Sequence, residues 1–176
     1  MKNTKLISVI LKGFAVLVFA EILCLFIDLT LAFSGSVLFK IISVFCTSVI
    51  FIGLICNYAY NTAKNDLVIQ RRMNIKLPAY RCFAGGGFLS LPYIIFWVVL
   101  VLSKNGIGGD FYKAYKLING QFLQLYNLLN SGTDVKSLST SALIIMLLLT
   151  LVPFVSFVIA YQLTYKGVDV ESIQYK

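Results

Sequence analysis

Residues 6–33 are almost unbroken hydrocarbon, and that run decides the solvent in which the chain can fold. It exceeds the ~20 residues that a helix needs to cross a bilayer core. Three further apolar stretches follow, at 37–60, 82–103 and 141–165. Of the 176 residues, 59% are hydrophobic and only 12% charged, where soluble domains carry roughly 25% charged residues. A soluble protein of this size could not give its surface enough polar cover. The expected fold is therefore all-α: an integral membrane bundle of four transmembrane helices forming one domain, 1–176. Lys2 and Lys5 resemble the start of a signal peptide. The apolar stretch passes Lys12 and runs on to Phe33, too long for a signal core, so it reads as a retained span.

Ser34, Gly35 and Ser36 form a turn so short that the first two spans must be antiparallel neighbours. Residues 61–81 read as a polar, basic loop carrying Lys64, Arg71, Arg72, Lys76 and Arg81, with Pro78 ending any local helix. The third span opens on Gly85, Gly86 and Gly87 and carries Trp97 near its far end. Residues 104–139 form the longest loop. Within it, Phe111, Tyr115, Ile118, Phe122, Leu125 and Leu129 recur at steps of four and three, one face of a helix. Lys113, Lys116, Gln121, Gln124 and Asn127 fall mostly elsewhere. Asp110 is its expected N-cap and Gly132 its stop. This short amphipathic helix is too mixed to span and is expected to lie at the outer membrane surface or to cap the bundle.

Nine Lys and Arg residues lie on the side of the termini and the 61–81 loop, against four on the other side. That bias places both termini and the basic loop in the cytoplasm. Tyr58, Tyr60, Tyr80, Tyr161 and Tyr165 would form the inner aromatic belt, and Tyr112, Tyr115 and Tyr126 would sit outside. The net charge of +8 then belongs to loops beside a membrane rather than to a nucleic-acid surface. The expected partners are the lipid bilayer, anionic lipid head groups touching the basic loop, and another membrane protein or a second copy. Docking of that loop to an acidic cytoplasmic partner is the alternative.

Glu21 and Asp28 are the residues that need explaining. Seven apart on a helix, they share nearly one face. A carboxylate at the bilayer centre costs about 2.5–3.5 kcal/mol on insertion scales. A chain tolerates that only when the group is protonated, paired or put to use. Asp28 has an expected partner in Lys40, across the short turn; Glu21 has none in the sequence. Lys12 is half a turn out of phase with Glu21 and is expected to snorkel to the interface. Three readings stay open for Glu21: a proton- or cation-linked site, a protonated side chain bonded to a neighbouring helix, or a contact with a partner's helix.

Pro92 and Pro153 fall mid-span, where each is expected to kink its helix and free a carbonyl, at Phe88 and Leu149. The glycine run 85–87 permits close helix approach, and Gly86 and Ser90 form a small-xxx-small pair. Cys24, Cys46, Cys56 and Cys82 lie in or beside apolar runs with no C-x-x-C spacing, which suits small fillers of helix contacts. Histidine is absent, so neither a Ser–His nor a Cys–His pair can be assembled, and no P-loop or G-x-G-x-x-G motif is present. No enzyme, no cofactor and no metal site are expected.

The segments GGGFLSLPYIIFWVVLVLSK, 85–104, and LVPFVSFVIAYQLTYKGV, 151–168, resemble those of small four-span membrane proteins of Gram-positive bacteria. The resemblance implies a bacterial cell membrane and brings no activity and no site residue. The leading expectation is a non-enzymatic accessory protein, a small subunit or regulator of a larger membrane complex. The alternative is a small transporter or channel subunit with an ion- or proton-coupled carboxylate.

Overall fold

The computed structural model describes the backbone of residues 2–32, 36–74 and 80–167 and the side chains of 7–31, 36–74 and 80–167. Lys76, Pro78, the 34–35 turn, Lys176 and the side chains of Lys2 and Lys5 lie outside the described residues. The elements are α1 (Lys2–Ala32), α2 (Val37–Met73), α3 (Tyr80–Lys104), α4 (Tyr112–Ile118), α5 (Leu123–Leu129), α6 (Thr140–Thr150) and α7 (Val152–Tyr165). Short 3-10 turns occupy Gly120–Phe122 and Val135–Ser137. There is no strand among the described residues. Four stretches are long and apolar enough to cross a bilayer: Ile7–Leu31, Val37–Met73, Tyr80–Lys104 and Thr140–Tyr165. Side chains such as Phe19, Phe26, Phe45 and Ile144 stay more than half exposed, the surface of a multi-pass membrane protein facing lipid.

α1 packs on α2, α2 on α7 and α7 on α3, while α3 also meets α1, closing a four-helix ring. Leu17, Ala20, Cys24, Phe51, Ile55, Leu89 and Phe157 fill it. The glycines opening α3 set one seam. A Cβ on Gly85 would stand 2.8 Å from the Phe157 ring, and one on Gly86 would stand 3.2 Å from the Phe154 carbonyl. Gly87 faces open space. The small pair Gly86 and Ser90 thus lies along α7.

The two mid-span prolines behave differently. α3 continues through Pro92. The fourth span is broken at Leu151, with Pro153 in the first turn of α7. There the Phe154 N–H, freed by the break, donates to Ser90 Oγ at 2.9 Å. The break has a cause in the packing. α7 stays on α2 and α3, whereas α6 packs on α3 and, through Met146, against Tyr112, Tyr115 and Tyr126. The place beside α1 and α2 at that end is taken by the 3-10 turn 120–122 and by α5.

The basic segment is mostly helix rather than loop. α2 runs unbroken to Met73 and ends on Asn74 in the left-handed region. Asp66 holds it in place: it accepts from Arg81 at 2.9 and 3.1 Å, and from Tyr161 at 2.8 Å. Arg81 is therefore a structural partner of Asp66 rather than a free lipid contact. Tyr161, expected in an aromatic belt, is buried on this carboxylate. Arg71 and Arg72 are exposed, and Lys64 lies 4.2 Å from the centre of the Tyr60 ring.

Candidate functional site

The loop between α3 and α6 supplies the lid of the site. Its helix forms, but in two pieces. The first starts from Phe111 as N-cap rather than the expected Asp110, which stands one residue earlier and accepts from Tyr112 N–H at 3.0 Å, while its second oxygen ties down Val135 N–H at 3.3 Å. After α4 the chain turns at Asn119, and Gly120 lies so close to α1 that a Cβ would stand 2.3 Å from Leu25 Cγ. The turn 120–122 resets the helical phase. The buried set is thus Tyr112, Tyr115, Lys116, Asn119, Gly120, Gln121, Phe122, Leu123, Gln124 and Tyr126, while Ile118 is exposed. Of the expected apolar face, Tyr115 and Phe122 are buried, Phe111, Leu125 and Leu129 pack against the same core, and Ile118 departs from it; Tyr112, Tyr115 and Tyr126 are interior rather than interfacial. Tyr115 and Tyr126 meet at a tilt and Tyr126 meets Phe122 edge-on, and with Tyr112, Leu100 and Met146 they form a second core.

The tip of this hairpin descends between the spans. Gln121 N–H donates to Glu21 Oε2 at 3.4 Å. Its carbonyl accepts from Thr47 Oγ1 at 3.0 Å. Glu21 precedes Leu31 by ten residues and Thr47 follows Val37 by ten, so both lie about 15 Å inside their helix ends at 1.5 Å per residue. In a ~30 Å hydrocarbon core bounded by these helix ends, the hairpin would be re-entrant and would reach about half of its depth. Irregular backbone at that depth is tolerated only where protein or a polar cavity surrounds it. Here protein does.

Glu21 therefore has partners in its own chain that its sequence neighbourhood did not reveal. Tyr93 Oη on α3 donates to Oε1 at 2.6 Å, and the hairpin amide takes Oε2. Asp28, one turn pair nearer the hairpin end, is fully buried. Its Oδ1 accepts from Ser43 Oγ on α2. The expected Asp28–Lys40 pair does not form: among the described residues, the ion pair is Arg81–Asp66. The reason is register. Ser43, three residues further along α2 than Lys40, is the residue that faces α1 at the depth of Asp28, whereas Lys40 is only half-buried. Thr47 Oγ1 also reaches the Ser43 carbonyl at 2.9 Å, which links both acids through α2.

The result is a polar thread, Tyr93–Glu21–Gln121–Thr47–Ser43–Asp28, crossing α3, α1, the hairpin tip and α2. It is rich in acceptors. Asp28 Oδ2 and Gln121 Oε1 are buried with no hydrogen-bond partner. No basic side chain contacts either acid among the described residues. No three Cys, Asp or Glu side chains gather there as a metal-binding set. Such a thread has the chemistry to hold a proton or a small monovalent cation, either of which supplies the charge or the donor that its oxygens need.

No family model matches this chain, and no curated protein and no solved structure matches it either.

Proposed function

We propose that this chain is a small, non-enzymatic transporter or channel subunit of the bacterial cell membrane, with both termini in the cytoplasm. A proton or small monovalent cation is held on the polar thread that carries Glu21 and Asp28, beneath the re-entrant hairpin. The observation that carries this reading is the hairpin itself: irregular backbone brought to mid-membrane depth to meet an acid that no basic residue neutralises. Hairpin displacement would open the site to the outer side. The excess of Lys and Arg at the end holding Arg71 and Arg72 supports the orientation.

The test is the melting temperature of the purified protein across pH and across sodium and potassium concentrations. A ligand that binds only the folded form stabilises by RT ln(1 + [L]/Kd), about 2.7 kcal/mol at a hundredfold excess over Kd. The expected result is a rise with acid or with one of the cations, removed in Glu21→Gln and in Asp28→Asn. Stability that ignores both, in the wild type and both variants, overturns the reading.

A second reading, the accessory subunit, draws on a different observation. α2 has 37 residues, about 55 Å, well beyond a ~30 Å core. Its projecting end exposes Arg71 and Arg72, with Lys64 a few turns back, as a docking face for an acidic partner or for anionic lipid heads. A stoichiometric partner on gentle purification, lost in Arg71→Glu/Arg72→Glu, would support it.

A further inference from the structure

At the basic end, α1 and α2 part to leave a groove of about 810 Å³. Tyr58 crosses the groove by donating to the Val9 carbonyl, nearer the basic end than Lys12, and the groove's other end lies deeper in the span. Ala15 and Val16 line that end, Lys12 lies one turn outwards, and Asn61, Asn65 and Arg72 follow along α2. The walls are thus apolar within the span and polar to cationic towards the end of the helices. Asp66 and Arg81 also face the groove, but they neutralise each other at 2.9 Å. Lys12 and Arg72 remain as two exposed cations without an ion pair among the described residues.

Depth identifies the occupant. Lys12 precedes Glu21 by nine residues, about 13–14 Å along α1. With Glu21 near the midplane, Lys12 stands at the boundary of a ~30 Å core, where its stem carries the ammonium to the phosphate level. A soluble anion would meet these charges but leave the apolar inner end uncovered. An amphiphile covers both. We propose that this groove is a binding site for one anionic phospholipid of the surrounding bilayer. Its phosphate lies on Lys12 and an acyl chain runs past Val16; Tyr58 packs against Gly13, so Arg72 stands about 20 Å further along α2, at the open end of the groove. This site is separate from the Glu21–Asp28 thread and does not depend on it.

The test is native mass spectrometry of the full chain titrated with phosphatidylglycerol or with phosphatidylcholine of the same acyl length. We expect a single tight phosphatidylglycerol per protein, preferred by roughly fivefold from the interfacial cation Lys12. Lys12→Gln/Arg72→Gln should remove the preference at unchanged melting temperature, because both side chains are exposed. Lys64→Gln/Arg71→Gln, whose side chains do not line the groove, should leave it intact. Equal binding of the two lipids by the wild type overturns the proposal. So does an equal loss in the Lys64/Arg71 variant, which would mean a diffuse basic surface. Displacement by millimolar inorganic phosphate would point to a soluble anion and overturn it as well.

Discussion

At the scale of single residues, Glu21 is held by geometry that its sequence neighbours could not announce. Tyr93 and Gln121 are 72 and 100 positions away. Charge and depth on α1 were enough to single out Glu21 and Asp28, because a carboxyl in hydrocarbon always needs an explanation. The pairing was not legible. Lys40 is the nearest opposite charge to Asp28 in the chain beyond the turn, but a helix face admits one register, and Ser43 occupies it. Gly120 gives the sharpest residue-scale prediction. With Leu25 Cγ 2.3 Å from its would-be Cβ, Gly120→Ala forces the hairpin tip off α1. The variant should lose about 1–3 kcal/mol, as overpacked sites do. Thermal melting of Gly120→Ala, Leu25→Ala and the double variant checks this. The double variant should be more stable than the sum of the single losses implies, and simple additivity would contradict the contact.

At the scale of elements, the spans were legible and the loops only in part. Four apolar runs are visible without structure because lipid demands them. The re-entrant hairpin was visible only as a periodic segment, since a 3-10 turn at 120–122 shifts the phase midway and hides which side is buried. Lys116 illustrates the cost. Read as a surface residue, it is buried, with Nζ donating to Asn127 Oδ1 and to the carbonyls of Asn130 and Gly132 at 2.8–3.0 Å. Burial among neutral acceptors lowers the affinity of this amine for its proton. The folded hairpin thus binds the proton more weakly than the unfolded chain, so stability is lost as pH falls through the lowered folded value and recovers towards 10.5. Tyr112, beside it, is pushed up to about 12 by burial and stays neutral in that window. Melting measured from about pH 8 to about pH 10 should rise in the wild type. The slope should be smaller in Lys116→Met, which also loses about 1–3 kcal/mol by orphaning its acceptors. The α3–α7 seam gives a cleaner pair. Gly85→Ala meets Phe157 at 2.8 Å and should destabilise, whereas Gly87→Ala faces open space and should gain up to about 1 kcal/mol from helix propensity. Equal effects in a denaturation series would contradict the seam.

At the scale of the whole molecule, the two ends of the bundle do different work. At the basic end α2, α3 and α7 are locked by the Asp66–Arg81 pair and by Tyr161, which makes a rigid base. Truncating Asp66 to Ala leaves Arg81 unpaired and should cost about 3–5 kcal/mol, read as a fall in melting temperature. At the other end, the break at Leu151 leaves α6 on α3 and admits the hairpin where a straight fourth helix would have stood. A rigid base beneath an inserted hairpin is a frame on which one element can move while the rest stays fixed. Pro153 was legible as a local disruption, but the element that fills the space it opens was not, because nothing in 112–129 states the depth to which it descends. The acids beneath this hairpin are proposed to carry a proton or a cation. Flux into proteoliposomes, followed with pH- and sodium-sensitive dyes for the wild type, Glu21→Gln and Asp28→Asn, tests this most directly. Wild-type flux should fall at least about tenfold in both variants while melting temperatures hold or rise, because a neutral amide costs less to bury than an acid. Flux that persists in both folded variants would contradict it.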